Sequence, residues 1–129
     1  MVKSLNVIFA STSGHTEHVV DTLIASLAEK YPDCTVKKVR AEHAVEEDFT
    51  KPDALVLASG TWNTGGVEGQ LNVHMHMLLK ERVKDADLKE KPCAVIALGD
   101  ERYYYTGRST EHLMQFILKH NGKSCCPPL

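Results

Sequence analysis

Three short stretches of the chain concentrate side chains better suited to binding than to packing. The first, Ser11-Thr12-Ser13-Gly14-His15-Thr16, sets four hydroxyl residues around one glycine. Ahead of a helix, such a loop adds hydroxyl donors to the unpaired N–H groups and partial positive charge of the helix start. Together these make a phosphate nest without a lysine. A plain helix cap would need only one Ser or Thr. The second stretch, Ser59-Gly60-Thr61-Trp62-Asn63-Thr64-Gly65-Gly66, carries the only tryptophan among residues that suit tight turns. Its indole either packs against its own strand ends or offers a face on which a flat ring can stack. The third, Gly99-Asp100-Glu101-Arg102-Tyr103-Tyr104-Tyr105-Thr106-Gly107, holds three of the four tyrosines. These phenols stack on a ligand, form a patch for a partner, or cover a strand end. One flat heterocycle with a short phosphorylated tail satisfies all three stretches together. The patterns G-x-x-x-x-G-K-[ST] and G-x-G-x-x-G are both absent, so nucleoside triphosphates and dinucleotides fit poorly.

Whether these stretches meet depends on the elements between them. The nearly continuous apolar run at residues 5–10 reads as a strand buried on both faces. Val19, Val20, Leu23, Ile24, Leu27 and Ala28 then recur at helical spacing until Tyr31-Pro32 stops the helix. Residues 34–39 alternate as a second strand, and residues 44–49 make at most a short helix. Residues 54–58 form a third buried strand, followed by a loop over 59–66 and a helix over 67–83. Residues 93–98 form a fourth, followed by a loop over 99–108 and a helix carrying Leu113, Met114, Phe116, Ile117 and Leu118. Asn121-Gly122 ends that helix, and residues 123–126 begin a fifth strand. Strands and helices alternating through short links predict an α/β domain with a parallel sheet covered on both faces. Ligands of such sheets bind at the carboxyl ends of the strands, where the winding direction reverses. All three stretches fall there.

Composition narrows the function classes. A chain of 129 residues makes one domain, here residues 1–129. With 17 acidic against 15 basic residues, it has no field that argues for nucleic acid or an anionic membrane. The apolar run near the N-terminus is too short for a signal peptide or a membrane span, so a cytoplasmic location is expected. Cys34, Cys93, Cys125 and Cys126 have no metal-ligand spacing, and two of them are adjacent, which suits reduced thiols. His74 and His76, two apart on a helix, diverge, so no metal site is expected. The mixed charges over 80–91 read as a solvated helix end and loop.

Taken with this scaffold, the three stretches resemble the flavodoxin family. Ser11-Thr12-Ser13-Gly14-His15-Thr16 looks like its phosphate loop, S/T-x-S/T-G-x-T. Thr61-Trp62-Asn63-Thr64-Gly65 looks like its first flavin loop, and Gly99-Asp100 followed by Tyr103, Tyr104 and Tyr105 looks like its second. The resemblance runs from Met1 to about Pro128. It implies a doubly wound five-stranded parallel sheet of order 2-1-3-4-5, with the family's last helix missing. It also implies flavin mononucleotide (FMN) as the cofactor. Residues 11–16 would hold the phosphate, Trp62 would cover one face of the isoalloxazine, and Tyr103 (or Tyr104, one residue on) the other. Backbone groups at Gly60, Thr61, Leu98, Gly99 and Asp100 would meet the ring's polar edge, with the Asn63-Thr64 peptide beside flavin N5.

The implied activity is low-potential one-electron transfer between a reductase and an acceptor protein, with no catalytic residues in the chain itself. A phosphate loop without Lys or Arg and aromatic walls of low dielectric both penalise added negative charge, which lowers the potential. The alternatives are an NAD(P)H-dependent quinone or flavin reductase of the same fold, and a flavin-free binding module. Two departures from the family stand out. The near-neutral charge makes steering toward a basic partner weak. The missing helix exposes one sheet face, through which self-association as a homodimer is expected.

Overall fold

The computed structural model describes residues 3–10, 15–64, 67–71, 73–98 and 106–124. The apolar runs form the parallel strands β1 (Ser4–Ala10), β2 (Thr35–Arg40), β3 (Ala54–Thr64) and β5 (Pro92–Leu98). Between them lie helices α1 (His15–Lys30), α2 (Glu46–Thr50), α3 (Val73–Met77, continued by a π-helical turn over Leu78–Arg82) and α4 (Thr106–Lys119). The long strands lie in the order β2-β1-β3-β5. At the outer edge β6 (Lys123–Ser124) pairs in parallel with Pro92 and Cys93. Residues 125–129, with Cys125 and Cys126, lie outside the described residues. Neither Cys34 nor Cys93 is in a disulfide. Among the described residues no helix is long and apolar enough to cross a membrane.

Alternation within each strand divides the core between two faces. Val7, Phe9, Val56, Ala58 and Ile96 point to the α1 side, where Val20 packs on them. Ile8, Ala10, Leu55, Leu57 and Val95 point to the other side, against Phe49 of α2, Met75 and Leu78 of α3, and Leu113 and Ile117 of α4. This two-sided burial is the physical reason for the unbroken apolar runs in the sequence.

The segment after β3 departs from the sequence expectation of a loop over 59–66 and a helix over 67–83. β3 continues to Thr64, and the chain returns antiparallel as β4 (Val67–Leu71), pairing Thr61 with Leu71, Trp62 with Gln70 and Thr64 with Val67. The helix begins only at Val73. Thr61, Trp62, Thr64 and Val67 favour extended backbone, and Gly65-Gly66 is a two-residue pair suited to a tight hairpin. Gly69 disfavours helix in the returning arm.

The stretch over 80–91 is also less solvated than its charges suggest. Val83, Ala86 and Leu88 are buried, and so is Lys91. Lys91 Nζ donates to the backbone oxygens of Phe49 (2.6 Å), Thr50 (2.9 Å) and Pro52 (2.8 Å), which closes the carboxyl end of α2 onto β5. Burial pushes the Lys91 ammonium below the usual lysine range.

At the end of α4, Asn121 takes the left-handed conformation (φ 65°). The Gly122 N–H donates to Ile117 O at 2.8 Å and the Asn121 N–H to Leu118 O at 3.4 Å. This is a Schellman closure with asparagine in the position that glycine usually takes. Gly122 is required for a different reason. A Cβ there would lie 2.7 Å from Ile117 Cγ2, 2.9 Å from Leu88 Cδ1 and 3.1 Å from Ile117 O. Gly122→Ala is therefore expected to cost about 1–3 kcal/mol, the usual range for overpacking. Urea unfolding measures it, and an unchanged midpoint would contradict the close packing.

Candidate functional site

Register brings the ends of three strands together at the carboxyl edge of the sheet. Ala10, the last residue of β1, pairs with Ser59, and Gly60 pairs with Leu98, the last residue of β5. The chain passes from β1 to β2 on one side of the sheet and to β3 on the other, so β1 and β3 flank the reversal of winding. Thr16, in the first turn of α1, is 4% exposed. A Cβ placed on Gly60 would touch Thr16 Oγ1 at 3.4 Å. The end of the first stretch and the start of the second thus meet at one point, two strands from the far edge.

Thr16 Oγ1 is buried there, and it has no hydrogen-bond partner among the described residues. A buried hydroxyl costs free energy until something pairs with it. It lies in the first turn of a 16-residue helix, where backbone N–H groups are also unpaired by the helix itself. This donor set suits an anionic oxygen.

Other expected site residues are described only in part. His15 opens α1, Thr61, Trp62, Asn63 and Thr64 form the last residues of β3, and Leu98 ends β5, all as backbone. Ser11, Thr12, Ser13, Gly14, Gly65, Gly99, Asp100, Tyr103, Tyr104 and Tyr105 lie outside the described residues. The extended backbone at 61–64 changes the setting of Trp62. It belongs to a paired hairpin arm rather than to a loop.

A charged network beside Thr16 was not singled out in the sequence. Glu17, the next residue of α1, accepts two hydrogen bonds from Arg40 Nη2 (2.8 and 2.9 Å) and lies 2.7 Å from Lys38 Nζ. Lys38 also donates to Asp21 one turn further along α1, at 2.8 Å. Both cations lie over the Phe9 ring, 5.3 and 5.2 Å from its centroid. The period signals it: Lys38 and Arg40 share one face of β2, and Glu17 and Asp21 share one face of α1. The network ties the first turn of α1 to β2 and so fixes the helix start.

Comparison with known proteins follows the same geometry. The sequence model of the flavodoxin family matches residues 7–126. The chain is a member of the flavodoxin family. Flavodoxins bind FMN and act as electron carriers. Among solved structures, oxidised flavodoxin 2 from Bacillus cereus superposes with a TM-score of 0.86 at 23% identity. Oxidised flavodoxin 1 from the same organism gives 0.84 at 22% identity. Each alignment covers 98% of this flavodoxin and 82% of the other chain. The Streptococcus pneumonia TIGR4 flavodoxin gives 0.81 at 20% identity, over 94% of this chain and 79% of its own. At these identities the structures speak for the fold, an α/β flavodoxin-like parallel sheet.

The network sets a pH dependence for this flavodoxin. The hydrogen bond from Lys38, helped by the Arg40 charge, holds the Glu17 carboxyl below its ordinary value of 4.5. A lowered carboxylate pKa contributes stability above the ordinary value and loses it as pH falls through the lowered folded value. Between about pH 6 and about pH 3, the thermal midpoint of the parent chain is expected to fall further than that of Glu17→Gln. Equal falls would contradict the assignment.

Proposed function

We propose that this flavodoxin, read as a single domain over 1–129, holds one FMN at the carboxyl edge of its sheet and works as a low-potential one-electron carrier. The meeting of Thr16 with Gly60 carries the reading. That contact joins the start of α1, which suits a phosphate, to the β3 segment that leads into Trp62. Thr16 and residues 11–15 would bind the phosphate through hydroxyls and helix N–H groups. Trp62 and Tyr103, or Tyr104 in its place, would flank the isoalloxazine and exclude water. Backbone groups at Gly60, Thr61, Leu98, Gly99 and Asp100 would orient its polar edge. FMN, when bound, supplies the one-electron chemistry; the protein binds, orients and desolvates it. No catalytic side chain is assigned.

A purified sample loaded with FMN should show a flavin visible spectrum that bleaches in steps as reductant is added. Apoprotein should quench FMN fluorescence at micromolar concentration, and Thr16→Val should weaken that binding by about tenfold or more. Such a loss corresponds to one hydrogen bond to a charged group. An apoprotein that leaves FMN fluorescence unchanged would contradict the proposal. Steady NADPH oxidation with quinone and no added reductase would replace the carrier role with a reductase.

The sheet is proposed to reach five parallel strands, with β6 as the start of the last. On the α1 side Leu5, Leu23, Ile24, Val36 and Ala94 are only partly buried. A second copy of the chain is proposed to cover them. Sedimentation should then show a dimer forming at high micromolar concentration, and a strict monomer there would remove this part of the proposal.

A further inference from the structure

Arg40 ends β2 and pairs in register with Phe9, the last residue but one of β1. β1 ends at Ala10, so Arg40 stands one strand over from the point where the chain leaves for the first stretch. Lys38, two residues back, shares its face of the strand. Beneath both cations lies the Phe9 ring, which is fully buried. Glu17 is held between them on α1, 2.8 Å from Arg40 and 2.7 Å from Lys38, and Asp21 takes a second contact from Lys38 at 2.8 Å. Two carboxylates thus meet two cations, and the cluster is neutral.

An unpaired Glu17 carboxylate, in the same helical turn as Thr16, would repel any anion drawn to the N–H groups there. Lys38 and Arg40 cancel that repulsion, although the first stretch itself contains neither Lys nor Arg. The pairing is mutual. The hydrogen bond from Lys38, then the Arg40 charge, keep the Glu17 carboxyl below its usual range, and the hydrogen bonds to Asp21 and Glu17 raise the Lys38 ammonium. With the buried Phe9 ring on one side, these charges are screened less than pairs surrounded by water.

What the loss of this neutralisation would cost depends on the ligand. Riboflavin and FMN share the isoalloxazine and the ribityl chain and differ in the phosphate. A bare carboxylate beside Thr16 would penalise FMN and leave uncharged riboflavin nearly untouched. We infer that Lys38 and Arg40, by neutralising Glu17, set the preference of the cofactor edge for the phosphorylated flavin over the uncharged one. Both cations touch Glu17 and act through it, so they are positioning residues rather than ligands of the phosphate. This inference rests on the FMN reading and adds to it two residues outside the three stretches.

Flavin-fluorescence titration of the apoprotein, full chain and at low ionic strength, tests it. Lys38→Gln combined with Arg40→Gln should weaken FMN binding at least about fivefold, the effect of one uncompensated charge on a nearby phosphate. Riboflavin binding should stay within about twofold of the parent, and added salt should shrink the FMN difference. Adding Glu17→Gln to that pair should restore FMN affinity to within about twofold of the parent, because the three side chains act as one unit. Glu17→Gln alone keeps an acceptor for Arg40 but removes the charge, and should tighten FMN binding by about twofold or more. Lys37→Gln, whose partner is Asp48, should leave binding unchanged, and circular dichroism checks that each variant is folded. Unchanged FMN binding in the double variant would overturn the inference. Equal losses for both flavins, or weaker FMN binding by Glu17→Gln, would overturn it in favour of a mechanical tie. Failure of the added Glu17→Gln to restore affinity would overturn it in favour of direct phosphate contacts. A parent chain that binds no FMN would instead remove the FMN reading on which it rests.

Discussion

β3 is hydrogen-bonded to β1 on one side and β5 on the other, and its register against both sets the geometry of the carboxyl edge. Because Leu55 and Leu57 face one layer of helices while Val56 and Ala58 face the other, a slip by one residue would exchange the two sets. The two cores differ in size and shape: Leu55 and Leu57 belong to the larger cluster, with residues of α2, α3 and α4, and Val56 and Ala58 to the smaller one on the α1 side. Register is therefore strongly held. Once it is fixed, Ala10, Ser59, Gly60 and Leu98 lie side by side, and whatever follows each strand starts from a common place.

The charges near that place are arranged so that α1 can begin there. Glu17 puts a carboxylate one residue from Thr16, where it would oppose an incoming phosphate. Lys38 and Arg40 neutralise it and anchor it to β2. The helix start thus keeps its N–H groups and its partial positive charge while its nearest acidic side chain is engaged.

Much of the scaffold was legible in the sequence because burial on both faces demands apolar runs. Residues 5–10, 54–58 and 93–98 announce themselves in that way, and Val19 to Ala28 repeat with the period of a helix. The hairpin at 61–71 was not read, because Trp62 and Asn63 suggest a loop and Leu71, Met75, Leu78 and Arg82 recur at helical spacing. The glycine pair at Gly65-Gly66 was the contrary signal. Lys91 looked like one more surface charge, since only its three carbonyl partners from a distant segment reveal burial. At the candidate site, hydroxyl density pointed to Thr16, but the place of Gly60 as its neighbour depends on strand register. The Glu17 network depends on strand order, which brings β2 beside α1.

The most direct test of the cofactor edge is a backbone amide NMR spectrum of the 15N-labelled apoprotein, recorded before and after one equivalent of FMN. The largest shifts should fall on Thr16, on Gly60 and the β3 residues after it, and on Leu98. Shifts concentrated away from that edge, with Thr16 and Gly60 unmoved, would contradict it.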